Sequence, residues 1–236
     1  QRALLMITAI HQPSYFPWLG WMDKINKCDQ FILMDEVQLS DRAYQHRNLF
    51  LTNTGQQKFL TIGIQKKGYF SKKINELLIN QDEPWQEKHF RFLENNYGKH
   101  PFYNEIMPGM ELIFRKPYEK LIDVLLDSIN ISLRLLNIST PVILQSSINY
   151  NRQKQKSDLI VALLQAVHSS HYLSGKGAEA YMQLEDFAHN NIKVVFQEFT
   201  HPVYEQKNSA TFIPGISCLD LLFNVGTQKA AQLIHE

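Results

Sequence analysis

The stretch Ile10-His11-Gln12-Pro13-Ser14-Tyr15-Phe16-Pro17-Trp18-Leu19-Gly20-Trp21 gathers side chains that can do chemistry. An imidazole can exchange protons near neutral pH, a primary amide can orient a polar substrate, and aromatic rings can stack on a base or sugar face. The run before it, Met6 to Ile10, is apolar and partly β-branched and reads as a buried strand. Pro17 sets the entry dihedral for a short helix over Trp18 to Asn26. His11 and Gln12 are therefore expected at the carboxyl end of a strand, where open α/β sheets bind ligands and helix amino termini point N–H groups at anions. The plainer alternative is that the pair only ends the strand while Tyr15 and Trp18 fill core.

Three further constellations lie at comparable positions. Asp35, Gln38, Gln45, Arg47 and Asn48 follow the second apolar run, Gln30 to Met34, and Arg47 offers the planar fork that pairs with carboxylate or phosphate. An Arg47–Asp35 pair that merely fixes the loop is the competing expectation. Ser174-Gly175-Lys176-Gly177 follows the strand His171 to Leu173; its glycines would let a diphosphate approach the backbone and Lys176 would add a charge, although a plain turn explains it as well. His201-Pro202-Val203-Tyr204-Glu205-Gln206 follows a strand from Lys193 to Phe199 and echoes the first motif. His11, Arg47 and His201 are the candidate catalytic groups; Gln12, Tyr15, Trp18, Asp35, Gln38, Gln45, Asn48, Ser174, Gly175, Lys176, Gly177, Tyr204 and Gln206 are the candidate substrate contacts.

Composition narrows the partners. The 236 residues carry 24 Lys and Arg against 23 Asp and Glu, a net charge of +1 that argues against general nucleic-acid binding. The basic and aromatic run from Gln65 to Lys73 reads as a solvated hairpin. Cys28 and Cys218 form no metal or disulfide spacing and suit a reducing, cytoplasmic setting. His168 and His171 have no carboxylate beside them, so no metal site is expected. The apolar run Ala3 to Ile10 is far too short to span a membrane and has no cleavage pattern, and Gln1 to Leu5 ahead of Met6 reads as an added remnant.

The elements alternate as in an α/β protein: a Rossmann-like, mostly parallel sheet with flanking helices, in one domain over 1–236 with a largely helical insertion at about 75–137. Further strands are expected at Lys58 to Ile64, Pro141 to Leu144 and Lys193 to Phe196. Helices are expected at Trp85 to Asn96, Ser157 to Val167, Glu185 to Asn190 and Ser217 to Asn224, with Gly226 past the end of the last. The clearest helix is Tyr118 to Leu136, where Tyr118, Leu121, Ile122, Leu125, Ile129, Leu133 and Leu136 share one face.

The strings His11-Gln12-Pro13-x-Tyr15-x-Pro17-Trp18-Leu19-Gly20, Gln45-x-Arg47-Asn48, Tyr172-Leu173-Ser174-Gly175, His201-Pro202-x-Tyr204-x-Gln206 and Ser217-x-x-Asp220-Leu221-Leu222 together resemble the WbqC-like family of bacterial proteins. That resemblance implies a role in O-antigen or other surface-polysaccharide biosynthesis, with transfer of glycine or another amino acid to a sugar. Cys218 stands where an aliphatic residue is expected in that family, which counts against a cysteine nucleophile.

A more distant likeness, in the path from strand through His11, Pro17 and Gly20 into a helix, is to the nucleotidylyltransferase and pantothenate-synthetase group. It would bring ATP with magnesium and an acyl-adenylate; the chain has Gly20 but Trp21 in place of the second His of the H-x-G-H pattern. The expected activity is acyl or aminoacyl transfer to a nucleotide-linked amino sugar, with a sugar nucleotide and an amino-acid-type acyl donor as partners. The alternative is a non-catalytic protein that binds a sugar nucleotide or a glycosyltransferase.

Overall fold

A computed structural model describes residues 5–40, 43–180 and 182–236. In chain order the first elements are β1 (Ile7–His11), α1 (Leu19–Asn26), β2 (Gln30–Leu33), β3 (Arg47–Leu51), β4 (Gln57–Thr61), α2 (Trp85–Tyr97), α3 (Tyr103–Ile106) and α4 (Glu111–Arg115). They are followed by α5 (Leu121–Leu135), β5 (Val142–Leu144), α6 (Lys156–Ala166), β6 (His171–Ser174), α7 (Leu184–Ala188), β7 (Lys193–Phe196) and α8 (Cys218–His235). Gln1 to Leu4, ahead of the first strand, and Asp41 and Arg42, in the stretch after the second, lie outside the described residues.

The chain forms two compact units. The first comprises Gln1–Gln12, Asp23–Glu36 and Thr140–Thr200; the second comprises Pro13–Met22, Val37–Ser139 and His201–Glu236.

The first unit holds a five-stranded sheet in the order β5-β2-β1-β6-β7, and every pairing is parallel. This is the expected α/β fold. From β1 at the centre the chain steps outward through β2 to β5, then returns to the other side for β6 and β7. The winding therefore reverses between β1 and β6, the place where such sheets leave a crevice beyond their carboxyl ends. β1 is buried at Thr8, Ala9 and Ile10, as a central parallel strand must be, and its exposed last residue is His11. The core on one face is built from Ile10, Ile32, Val161, Leu164, Tyr172 and Phe187.

The second unit contains the antiparallel hairpin β3–β4 and the helices α2 to α5 and α8. The polar run through Asn48 does not stay a loop: β3 opens at Arg47 because Asn48 and Phe50 turn inward on alternate positions. α5 begins at Leu121 rather than Tyr118, since Glu119 accepts from the Ile79 N–H and Lys120 bridges to Leu78 in extended form. Within α8 the helix breaks at Gly226 as expected, with φ 78° and ψ 171°, and a further helical stretch then runs to His235; an added Cβ at Gly226 would lie 2.6 Å from the Phe102 ring.

Candidate functional site

In the first unit the carboxyl edge of the sheet carries His11, Gln12, Asp35, Ser174 and Gly175. The imidazole of His11 donates from Nδ1 to the Gln12 carbonyl at 3.0 Å, and because a carbonyl only accepts, this fixes the tautomer and leaves Nε2 as the basic nitrogen. His11 is exposed at the end of its strand. Desolvation pushes its pKa down to about 4, and the positive charge of Lys24 pushes the same way against the Gln12 hydrogen bond.

Lys24 is the unexpected member. It projects from α1 and is only 5% exposed, yet its sole hydrogen bond among the described residues is a long one of 3.4 Å from Nζ to the Ile10 carbonyl. The adjacent carboxylate, Asp23, is committed elsewhere: it pairs with Lys27 at 2.8 Å and accepts from Gln197 Nε2 at 2.6 Å. Burial without a carboxylate partner lowers the Lys24 pKa to about 8. Directly above lies Gly175, where an added Cβ would stand 3.9 Å from Lys24 Nζ. The backbone there, φ −68° and ψ 143°, suits any residue, so what glycine supplies is open space over the ammonium. A buried cation with spare donors, a fixed imidazole and a bare backbone at the sheet's reversal point can hold a phosphate or carboxylate and move a proton beside it.

The other residues of this edge are placed less centrally. Asp35 is buried at the end of β2 and accepts from the N–H and hydroxyl of Ser146, at 2.8 and 2.5 Å, tying the ends of β2 and β5 together. Lys176 and Gly177 sit exposed on a single 3₁₀ turn after Gly175.

In the second unit the motifs meet around the turn Tyr15-Phe16-Pro17-Trp18. Phe16 is buried with φ at 40°, a costly conformation for a bulky residue. Its carbonyl accepts from Asn48 Nδ2 at 2.8 Å and Ser217 Oγ at 2.9 Å, and its N–H reaches Ser128 Oγ at 3.3 Å. The Tyr15 N–H donates to the Gln45 carbonyl at 3.0 Å, and its hydroxyl donates to His89 Nδ1 at 3.0 Å. Gln45 is buried, with its side-chain oxygen on the Ser40 N–H at 2.8 Å. Gln38 is exposed and bridges to Lys73.

Arg47 lays its guanidinium over the Phe59 ring at 4.3 Å. Trp18, 38% exposed, lies across Gly20, where a Cβ would collide with the indole, and stacks on His201 with ring centroids 6.4 Å apart. His201 donates from Nδ1 to the Pro202 carbonyl at 2.9 Å and accepts the Gly215 N–H on Nε2 at 3.3 Å. Both its nitrogens are engaged, so His201 meets a substrate only if the Gly215 contact opens.

In the same unit the fully buried carboxylate of Asp220 accepts from Tyr97 Oη at 2.9 Å, Tyr204 Oη at 2.8 Å and Gln206 Nε2 at 3.1 Å. Desolvation raises the Asp220 pKa despite those three donors. Tyr204 and Gln206 thus spend their polar atoms inside the unit, with the Gln206 oxygen accepting from the Ile213 N–H at 2.7 Å. Cys218 is fully buried and its thiol pKa is pushed up to about 12, far from a nucleophile's.

The family model for WbqC-like proteins matches residues 12–232, nearly the whole chain. The chain belongs to the WbqC-like family. An uncharacterized protein of Mycobacterium tuberculosis is 32% identical over 228 residues, covering 93% of this chain and 94% of its own. No solved structure matches significantly. In this WbqC-like chain the motif residues Asn48, Ser217, Asp220, Tyr204 and Gln206 form one hydrogen-bonded scaffold under the aromatic turn, while His11 and Gly175 line the sheet's edge.

Lys24 lies outside the motifs, and Asp220, although inside the last of them, was given no role by the sequence. Lys24 has Gly20 and Trp21 before it and Lys27 and Cys28 after it at helical spacing, so no carboxylate on α1 can pair with it; that pattern was the available signal. Asp220 stands in the first turn of α8 like any helix-starting acid, and only its burial reveals the hub.

Proposed function

We propose that this protein transfers an amino-acid-type acyl group to a nucleotide-linked amino sugar, within the surface-polysaccharide biosynthesis with which WbqC-like proteins are associated. The observation that supports it is the buried, carboxylate-free Lys24 ammonium next to His11 and Gly175 at the reversal point of a parallel sheet. Lys24 takes a phosphate of the sugar nucleotide, with Gln12 orienting the substrate.

The amine of the sugar attacks the carbonyl carbon of an activated acyl donor; the new C–N bond forms, the bond to the leaving group breaks, and His11 Nε2 accepts the amine proton. The bound phosphate also tunes this step. Its negative charge offsets that of Lys24 and draws the His11 pKa up from about 4 toward working pH, where a general base is most effective. ATP with magnesium would serve to activate a free amino acid. Magnesium would be carried by the nucleotide's phosphates.

One observation favours a binding role without turnover: Tyr204, Gln206 and Asn48 direct their polar atoms inward. The test incubates the protein with UDP- or dTDP-linked amino sugars, glycine and ATP with magnesium, or an aminoacyl donor, and looks for the amide by mass. The expected result is product from the parent, binding without product from His11→Ala, and no binding by Lys24→Met. Binding that survives in Lys24→Met overturns the assignment, and binding without product in the parent selects the non-catalytic reading.

A further inference from the structure

A pocket of about 540 Å³ opens in the first unit beside the carboxyl edge of the sheet, between the start of α6 and α7. Its floor is apolar and aromatic: Met34, Tyr172 and Phe187, the two rings stacked with centroids 5.5 Å apart and planes 17° from parallel. Its walls are polar, with the hydroxyls of Ser157 and Ser174 and the amide of Gln183. Ser174 is 2% exposed, lines the pocket, and its hydroxyl has no hydrogen-bonding partner among the described residues. A hydroxyl that faces the pocket and is engaged by no protein group is open to a ligand atom. Ser157 lies in the first turn of α6, an eleven-residue helix whose opening N–H groups lack helical partners. Ser174 is also the residue just before Gly175, so the pocket and the open space over Lys24 meet at one strand end.

We infer that this pocket is the nucleoside subsite of the ligand whose phosphate Lys24 holds, an inference that rests on the function proposed above. A flat heteroaromatic base fits both features at once. Its faces lie on sulfur and ring surfaces, and its edge carries the donors and acceptors that Ser174 and the Gln183 amide can meet. An acyl chain would leave the Ser174 hydroxyl unpaired, and the side chain of a small amino acid would leave most of the volume empty.

Calorimetric titration of the intact protein separates the two claims. The probes are inorganic pyrophosphate and the diphosphates of uridine, thymidine, cytidine, adenosine and guanosine. At least one nucleoside diphosphate should bind about tenfold or more tighter than pyrophosphate. Ala178→Phe, which fills the pocket from a half-buried wall position, should erase that margin and leave pyrophosphate binding as it was. Ser174→Ala should reduce the margin about fivefold to tenfold. Retained pyrophosphate binding shows that each variant is folded. If no nucleoside diphosphate outbinds pyrophosphate, or if Ala178→Phe keeps the margin, the nucleoside pocket is wrong while the Lys24 site stands. If pyrophosphate itself fails to bind the parent, the proposed function fails with it.

Discussion

The side-chain amide of Asn48 donates to the backbone carbonyls of both Tyr15 and Phe16, at 3.0 and 2.8 Å, and so secures the left-handed backbone of Phe16. Its own oxygen accepts from the Leu49 N–H at 2.8 Å, which makes Asn48 a fully used amide in a buried site. A strained residue persists only where its surroundings over-determine it. Asn48→Ala should therefore lower stability by about 2–4 kcal/mol, read from the shift of the urea midpoint at constant slope. Asn48→Asp keeps the shape but turns a donor into an acceptor facing two carbonyls, and should be no better. A loss under about 0.5 kcal/mol in either variant would mean the turn holds without this contact.

Lys24 should behave in the opposite way. Its folded pKa of about 8 lies below its ordinary 10.5, so the native state carries a cost that is fully present below pH 8 and is relieved as pH rises from about 8 to 10.5. Replacing it with Met removes that cost. At pH 7 Lys24→Met should be more stable than the parent by up to about 3 kcal/mol, with the difference shrinking toward pH 10.5, as the pKa shift implies. The same variant should lose phosphate binding. A destabilised Lys24→Met would show that the ammonium serves the fold rather than a ligand.

His11 gives a spectroscopic reading of the same corner. With its folded pKa lowered from 6.5 to about 4, the ring binds fewer protons native than unfolded in that window, so its contribution to stability is lost as pH falls from about 6.5 through 4. An NMR titration should find His11 neutral at pH 6 with the proton on Nδ1. Lys24→Met should raise the midpoint by removing a neighbouring positive charge, and phosphate should raise it in the parent. A midpoint near 6.5 that ignores both changes would sever the electrostatic link between the two residues.

The strands of the first unit were legible because parallel sheets bury both faces and write short apolar runs: Met6 to Ile10 and Gln30 to Met34 differ from β1 and β2 by a residue or so. Their order in the sheet, which places His11 beside Ser174 and Gly175, is a matter of long-range pairing that no local pattern encodes. β3 was hidden because an inward-facing Asn48 breaks the alternation that marks a strand; its amide is satisfied by carbonyls more than thirty residues earlier. Gly226 reads as a stop by local rules and does break the helix; the second helical stretch beyond it was not legible, nor was the Phe102 ring that occupies the space a side chain at Gly226 would need. In the candidate site, residue types were readable and their allegiance was not. His11 and His201 share the motif of an Nδ1–H donated to the next residue's carbonyl, and the Nε2 of His201 accepts the Gly215 N–H.

Asp220 offers the sharpest test of the scaffold in the second unit. Its folded pKa is raised above the ordinary carboxylate value, so its contribution favours the native state in acid and is lost as pH climbs through the folded pKa. The stability of the parent relative to Asp220→Asn should therefore decline as pH rises from below 3.8, the opposite of a surface ion pair. Asp220→Ala leaves the hydroxyls of Tyr97 and Tyr204 and the Gln206 amide facing an apolar gap, and should cost about 3–5 kcal/mol. Tyr204→Phe alone should cost about 1–3 kcal/mol, and distinctly less in the Asp220→Ala background, because the hydroxyl then has no carboxylate to meet. Additive losses in that double-mutant cycle would show that Tyr204 and Asp220 act independently and that the two motifs are not joined through this carboxylate.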